Sequence, residues 1–413
     1  MSNRKLFGAA ALTASDVAGK AVALIIMPYL ANRMGSADFG VLNLYMSVIQ
    51  ILTFGIELGG PALITAEYVR NGYASARRLR ATNLRLAMWI SIAMILVSLS
   101  LSWFVPSVVP TASGVLIVVV SCVQAINVVE LSYYRGAQTY AVAIAGQFVF
   151  AFLNVLLTVM AFEFDSPTVA NRLICIALAG AVVQTVYALE LRRKRYTPAD
   201  KATRRANTSL IVGFGLSISI HVVSGWIRVS IDRFFVAANL GLPATGVYGV
   251  AVSLTVGVTI LFGAVSQQLQ PFLYRRVKCR DFAGFRRVQF LFVVVVLCFT
   301  TAYYLLLQML FGLLFANEYD GAKALLPALL GGAAAQSIFT NFSHAAFYER
   351  RASEISWISA IALLVHIAAL GGLALSDLVT STNVALVYFV SSTVATLAMA
   401  WLSRSVIRQL RRT

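Results

Sequence analysis

Charge is what this sequence has least of. Only 12% of its 413 residues are Asp, Glu, Lys or Arg, about half of the ~25% typical of soluble domains, which excludes a water-facing globule. Cysteine is nearly as scarce. Of the four, Cys122, Cys175 and Cys298 fall inside apolar runs and Cys279 in a basic segment. None forms a CxxC pair, so neither a disulfide framework nor a zinc site is expected and all four read as packing thiols. His221, His344 and His366 are far apart and show no metal-ligand spacing. No HExxH or GxSxG occurs, and Gly19-Lys20 fails as a phosphate loop because Ala14 and Ala21 stand where glycine and Ser/Thr are needed. Long polar segments are missing too, which leaves nothing to host a soluble catalytic domain.

What is present is apolar surface: 59% of residues are hydrophobic, with a mean hydropathy of +0.81. A spanning helix takes roughly 20 apolar residues. Runs of that kind cover 7–30, 39–65, 84–105, 114–133, 141–162 and 169–189, then 209–237, 245–273, 288–315, 324–347, 357–375 and 384–402. All must be helical, since an open strand in lipid leaves its backbone unsatisfied. The expected fold is an all-α polytopic membrane protein of about 12 transmembrane helices. Its N-terminal run carries Asp16 and Lys20 and is longer than the 7–15-residue apolar core of a secretory signal, so it reads as an uncleaved first helix.

The basic residues set the orientation. Arg4 and Lys5, the Arg70–Arg85 cluster, Arg135, Arg192 to Arg205, Arg275 to Arg287, Arg350 with Arg351, and the arginines from Arg404 onward all fall in the two tails and alternate loops. Only Arg33, Arg172 and Lys323 fall in the opposite set. By the positive-inside rule both termini are cytoplasmic. The net charge of +17 is then explained by a solvated edge beside anionic lipid headgroups, and no nucleic-acid partner is expected.

The longest polar stretch, 192–207, falls near the midpoint. It reads as a cytoplasmic linker between an N-lobe at 1–191 and a C-lobe at 208–413, six helices each. An internal repeat supports the division: LANRMGSADFGV at 30–41 matches VAANLGLPATGV at 236–247, aligning Gly35 with Gly241 and Gly40 with Gly246 at an offset of 206 residues. Duplicated halves are frequent in secondary transporters, with the binding site where they meet.

A charge at a helix centre costs at least about 2.5–3.5 kcal/mol on insertion scales, so each marks a functional hypothesis. Asp16 and Lys20 are four apart on one face, with Lys20 roughly 20 Å into its span; a self-neutralising pair is the bland alternative. His221, Gly225, Arg228 and Asp232 form a stripe on the seventh span. Asp232 with Arg233 could instead anchor the interface. Lys20 and Arg228 would present cations at similar depth in the two halves, a site for phosphate or pyrophosphate. Glu57, in the loosened FGIELGGP segment at 54–61, and Glu130, sharing a face with Asn127 and Tyr134, are candidates for gating or ion coupling. For Glu57 a plain kink and for Glu130 an interfacial carboxylate compete. Gln147 with Asn154, and Asn341 with His344, read as interhelical hydrogen bonds; Tyr45, Trp226 and Tyr248 read as packing residues before sugar-stacking ones.

The segments PYLANRMGSADFG at 28–40, IELG at 56–59, and Asp232-Arg-Phe-Phe followed by Leu240-Gly and Gly246-Val-Tyr248 resemble the Wzx-type oligosaccharide-lipid flippases. These belong to the superfamily that also holds the MATE multidrug exporters and lipid II flippases. Glu57 departs from the aspartate common there, the repeat lacks an arginine matching Arg33, and lipid II flippases have two additional helices. The resemblance implies a two-lobed carrier in the bacterial inner membrane. It would move an undecaprenyl-pyrophosphate-linked oligosaccharide to the periplasmic leaflet, as a transporter and not an enzyme. No cofactor is implied beyond coupling to the membrane potential, H+ or Na+. Partners would be the glycolipid, membrane lipids, and a polysaccharide polymerase and chain-length regulator. A cation-coupled multidrug exporter of the same fold is the alternative; a membrane polymerase or ligase is disfavoured by the short outer loops.

Overall fold

The computed structural model describes residues 3–104, 111–137, 139–192, 200–349 and 351–412. Among these, ten long α-helices account for nearly everything: α1 (Asn3–Glu57), α2 (Gly60–Phe104), α3 (Thr111–Gly136), α4 (Tyr140–Phe164), α5 (Val169–Arg192), α6 (Lys201–Lys278), α7 (Phe282–Leu314), α8 (Gly321–Tyr348), α9 (Ala352–Leu375) and α10 (Ser381–Arg412). All ten carry an apolar stretch long enough to cross a bilayer. Two of those stretches, Val17–Glu57 and Val222–Lys278, are 41 and 57 residues long, far beyond the ~20 one crossing needs. Each is broken by a glycine in the left-handed region, Gly35 (φ 75°) in α1 and Gly241 (φ 84°) in α6. The ten runs therefore make twelve spans, the number expected.

Several boundaries differ from the sequence reading. The second span does not run to residue 65: α1 ends at Glu57, where Leu58 (φ 48°) and Gly59 (φ 66°) turn the chain. The basic segment at 70–85 is not a loop but part of α2, bent at Gly72 (φ 80°). Its Ala-, Arg- and Leu-rich composition favours helix wherever it protrudes from lipid. Residues 201–207 likewise form the first turns of α6, and Asp200 Oδ1 accepts from Thr203 N–H at 3.2 Å. Residues 193–199 of the expected linker lie outside the described residues.

Two compact units result. One comprises Met1–Ala23 and Leu44–Val223, the other Leu24–Asn43 and Ser224–Thr413. The first is built around Ile64, Leu79, Tyr133, Tyr134, Val183, Tyr187 and Ile211. In the second, Phe282, Phe285, Met399, Leu402 and Val406 form one cluster, and α8, rich in Gly and Ala, is largely buried. Small residues let membrane helices approach closely where lipid gives no hydrophobic drive. Large apolar side chains elsewhere point outward, among them Phe164, Met309, Leu313 and Leu375, as a lipid-facing surface requires.

The segment Leu24–Asn43 joins the second unit through a quasi-symmetric contact. A Cβ on Gly40 would lie 2.3 Å from the Leu242 carbonyl oxygen, and one on Gly246 would lie 1.9 Å from that of Ser36. Under the 206-residue offset these are the same contact seen from its two ends. Only glycine permits backbones this close. Around it, Tyr319 Oη donates to the Ala31 carbonyl at 2.8 Å, Asn32 Nδ2 donates to the Leu314 carbonyl at 2.8 Å, and Asn32 Oδ1 accepts from Ala316 N–H at 2.9 Å.

Candidate functional site

The polar groups of the second unit gather where α6 doubles back at Gly241. Asp232, before the bend, accepts through Oδ2 from Tyr248 Oη at 3.0 Å, beyond it. Its Oδ1 lies 2.8 Å from His366 Nε2 on α9. His366 Nδ1 lies 2.9 Å from Ser391 Oγ on α10. Exposure is 3% for Asp232, 0% for His366 and Tyr248, and 1% for Ser391. Bulk water therefore does not screen this network. Arg228, one helical turn before Asp232, points to another partner: its Nη2 donates to Gln336 Oε1 on α8 at 2.6 Å, while its buried Nη1 has no partner among the described residues. Tyr388 on α10 is within electrostatic reach of Arg228, Asp232 and Arg233.

The expected stripe therefore divides. Arg228, Asp232 and Arg233 share one neighbourhood, but Asp232 is held in a closed hydrogen-bonded set and is no interfacial anchor. Tyr248 is a core residue, and Trp226 packs on Phe234 with ring centroids 6.2 Å apart. The side chains of Asp16, Lys20 and His221 lie outside the described residues; Asp16 and Lys20 are positions of α1 and His221 of α6.

The first unit holds a second polar cluster. Glu130 on α3 pairs with Arg80 on α2 through both carboxylate oxygens; the Nε–Oε2 distance is 2.8 Å. The Arg80 guanidinium lies 5.3 Å from the Tyr133 ring centroid, Tyr133 contacts Tyr134, and Tyr134 stacks on Tyr187 at 5.1 Å. Glu57 closes α1, and its carbonyl accepts from Asn83 Nδ2 at 3.0 Å. Its buried Oε2 has no hydrogen-bond partner among the described residues. The expected interhelical amides are present: Gln147 Oε1 accepts from Ser15 Oγ at 2.7 Å, and Asn154 Oδ1 from Arg172 Nη1 at 2.6 Å. Arg172 is thus buried and not part of a wet outer loop. His344 bonds Ser266 at 2.9 Å, while both amide atoms of Asn341 are buried without partners among the described residues.

Sequence reasoning missed His366, Gln336, Tyr388 and Ser391, and missed Arg80 as the partner of Glu130. For His366 a usable clue existed: a titratable group alone in an apolar span needs a partner in the bundle, and Asp232 was equally alone. Among the described residues no group of His, Cys, Asp and Glu is arranged to hold a metal.

The family described as "Polysaccharide biosynthesis protein" matches residues 6–275, more than half of the chain, and the protein belongs to that family. The Lsg locus protein 1 of Haemophilus influenzae is 23% identical over 277 residues, 64% of each chain, so just under two thirds of that relative is spanned. A membrane protein of the same organism is 22% identical over 374 residues, 88% of this chain and 89% of that one. Among solved structures, an inward-facing multidrug resistance MATE family transporter of the MOP superfamily superimposes with a TM-score of 0.68 at 15% identity, covering 97% of this chain and 96% of that one. A MOP superfamily transporter from Pyrococcus furiosus, described as having a binding pocket of reverse polarity, gives 0.59 at 13% identity, with 98% and 96% covered. At such identities the likeness is one of fold. The family shown is that of polysaccharide biosynthesis proteins, and the fold is one shared with multi-pass membrane transporters.

Proposed function

We propose that the protein moves an undecaprenyl-pyrophosphate-linked oligosaccharide from the cytoplasmic to the periplasmic leaflet of a bacterial inner membrane by alternating access. Its products would be O-antigen, capsule or exopolysaccharide precursors, passed to a polymerase and chain-length regulator. The observation that carries this reading is Arg228. The protein gives this guanidinium one amide oxygen and no carboxylate among the described residues, so it retains a full positive charge and free donors. A guanidinium in that condition suits a phosphate or pyrophosphate oxyanion and is too costly in a membrane to be incidental. Lys20, whose side chain lies outside the described residues, is a second cation that the sequence offers to an anionic headgroup. With both termini cytoplasmic and the inside negative, each negative charge carried outward gains about 2.3 kcal/mol per 100 mV, so the potential can favour export without ATP.

The test is complementation of a deletion strain. Arg228→Ala should abolish surface polysaccharide while membrane insertion stays normal, and Arg228→Lys should retain part of it. Normal polysaccharide with Arg228→Ala, or drug hypersensitivity with intact glycans in the deletion strain, overturns the reading in favour of a drug exporter.

A further inference from the structure

The hydrogen bonds around His366 do not fix how many protons it holds. Ser391 Oγ lies 2.9 Å from His366 Nδ1 and 3.1 Å from the Tyr388 carbonyl oxygen, and a hydroxyl has one hydrogen to give. When that hydrogen goes to Tyr388, Ser391 accepts from Nδ1–H, and the 2.8 Å contact between Nε2 and Asp232 Oδ1 requires a second proton. The pair is then imidazolium–carboxylate or imidazole–carboxylic acid, neutral either way. When Ser391 turns its hydrogen to Nδ1, a single proton on Nε2 satisfies Asp232, and the pair carries one negative charge. Every heavy atom keeps its place. The Tyr388 carbonyl is not orphaned in the second state, because it lies inside α10 and keeps its helical hydrogen bond.

We infer that Asp232, His366 and Ser391 form a proton-binding site inside the C-terminal unit, filled and emptied as the transporter cycles. One proton enters or leaves, no covalent bond among heavy atoms changes, and the rotating hydroxyl absorbs the difference. The groups facing the site come from every neighbouring element: Tyr248 on the second arm of α6, Arg228 and Arg233 on the first arm, Gln336 on α8 through Arg228, and Tyr388 with Ser391 on α10. Tyr248 makes the charge state felt beyond the bend at Gly241, since its hydroxyl donates to the carboxylate whose charge the proton offsets. One change in proton number therefore acts on four helical segments at once. Histidine is suited to this role because its ordinary titration range falls between about pH 5 and 8.

The cycle rests on the transporter reading, but the site can be tested without substrate. Infrared difference spectra of the purified full-length protein in detergent, titrated across that same range, should show a buried carboxyl band and an imidazole band changing together. Asp232→Asn and His366→Gln should each remove the linked change; the glutamine can still bridge Asp232 and Ser391 but cannot titrate. Ser391→Ala should keep the linked change, because both titrating partners remain. Unaltered spectra in both titration-null variants, no pH-dependent change in either the imidazole or the carboxyl bands of the wild type, or the same bands driven by sodium at constant pH would overturn the proton site. Failure of glycolipid translocation with normal titration discards the substrate reading alone. A silent titration with intact surface polysaccharide discards the proton site alone.

Discussion

Asp232 and Glu130 are both carboxylates buried in the apolar interior of a helical unit, and both are paired, but with partners of different kinds. Glu130 meets Arg80 through both of its oxygens, with the Tyr133 ring against the guanidinium. Arginine does not lose its proton in proteins, and its planar fork fits a carboxylate bidentately. That bidentate pair is a fixed tie between α2 and α3. Asp232 meets an imidazole, a tyrosine hydroxyl and, through the imidazole, a serine. Each of those partners can give or withhold a hydrogen. A membrane protein can thus bury an acid as a fixed tie or as a variable one, and the partner decides which.

The largest effect should separate the two. Glu130→Ala leaves Arg80 buried and uncompensated, and breaking a buried pair from one side costs about 3–5 kcal/mol. Thermal unfolding in detergent should register it as a greater loss than Asp232→Asn, Tyr248→Phe or Asp281→Ala. The double variant Arg80→Met, Glu130→Leu should recover most of that loss. Asp232→Asn should cost clearly less, because the amide can still bond neutral His366 and Tyr248. Equal losses for Glu130→Ala and Asp232→Asn would erase the distinction.

Tyr248→Phe comes next. It removes the hydroxyl that donates to the Asp232 carboxylate at 3.0 Å in a fully buried contact and leaves the ring's packing intact. Hydrogen bonds to charged groups are worth about 1.5–3 kcal/mol, so the unfolding midpoint should fall by an intermediate amount. A null result would mean that Asp232 relies on His366 alone.

The contrast also marks how far the sequence could be read. The twelve spans were legible because lipid demands long apolar runs and permits little else. The bends at Gly35 and Gly241 were legible through the repeat, since both copies need the same left-handed residue. The break at Leu58-Gly59 was sensed only as a loosening around Glu57. The helical character of 70–85 and 201–207 was hidden because polar residues outside lipid carry no periodic demand. Pairings were the least legible part. Glu130 finds Arg80 across 50 residues and Asp232 finds His366 across 134, and no spacing rule connects positions on different helices. Arg172 misled in the other direction: counted among the outer basic residues, it bonds Asn154 and Thr158 at 2.6 Å each and is 7% exposed. Neutral oxygens on α4 satisfy a cation that composition assigns to water.

A third pair, in water, sharpens the comparison and should give the smallest effect. Asp281 caps α7, its Oδ1 accepting from Gly284 N–H at 2.8 Å, and it also pairs with Arg276. Their side chains are 39% and 36% exposed, so solvent and salt screen the charge term. The Gly284 N–H first, and Arg276 second, hold the Asp281 carboxyl below its ordinary range. A carboxyl whose folded value is depressed stabilises above its unfolded value, near 3.9, and the contribution is lost as pH falls through the folded value. Asp281→Ala should therefore lower the unfolding midpoint slightly at neutral pH, and the gap to wild type should close in acid. Asparagine caps a helix about as well as aspartate, so Asp281→Asn should restore most of the difference if the cap outweighs the ion pair. Because Asn carries no charge, its remaining deficit is the ion pair with Arg276, which added salt screens, so that deficit should shrink with salt. A deficit that salt leaves untouched would mean that even this exposed charge acts as a fixed tie, like Arg80 and Glu130.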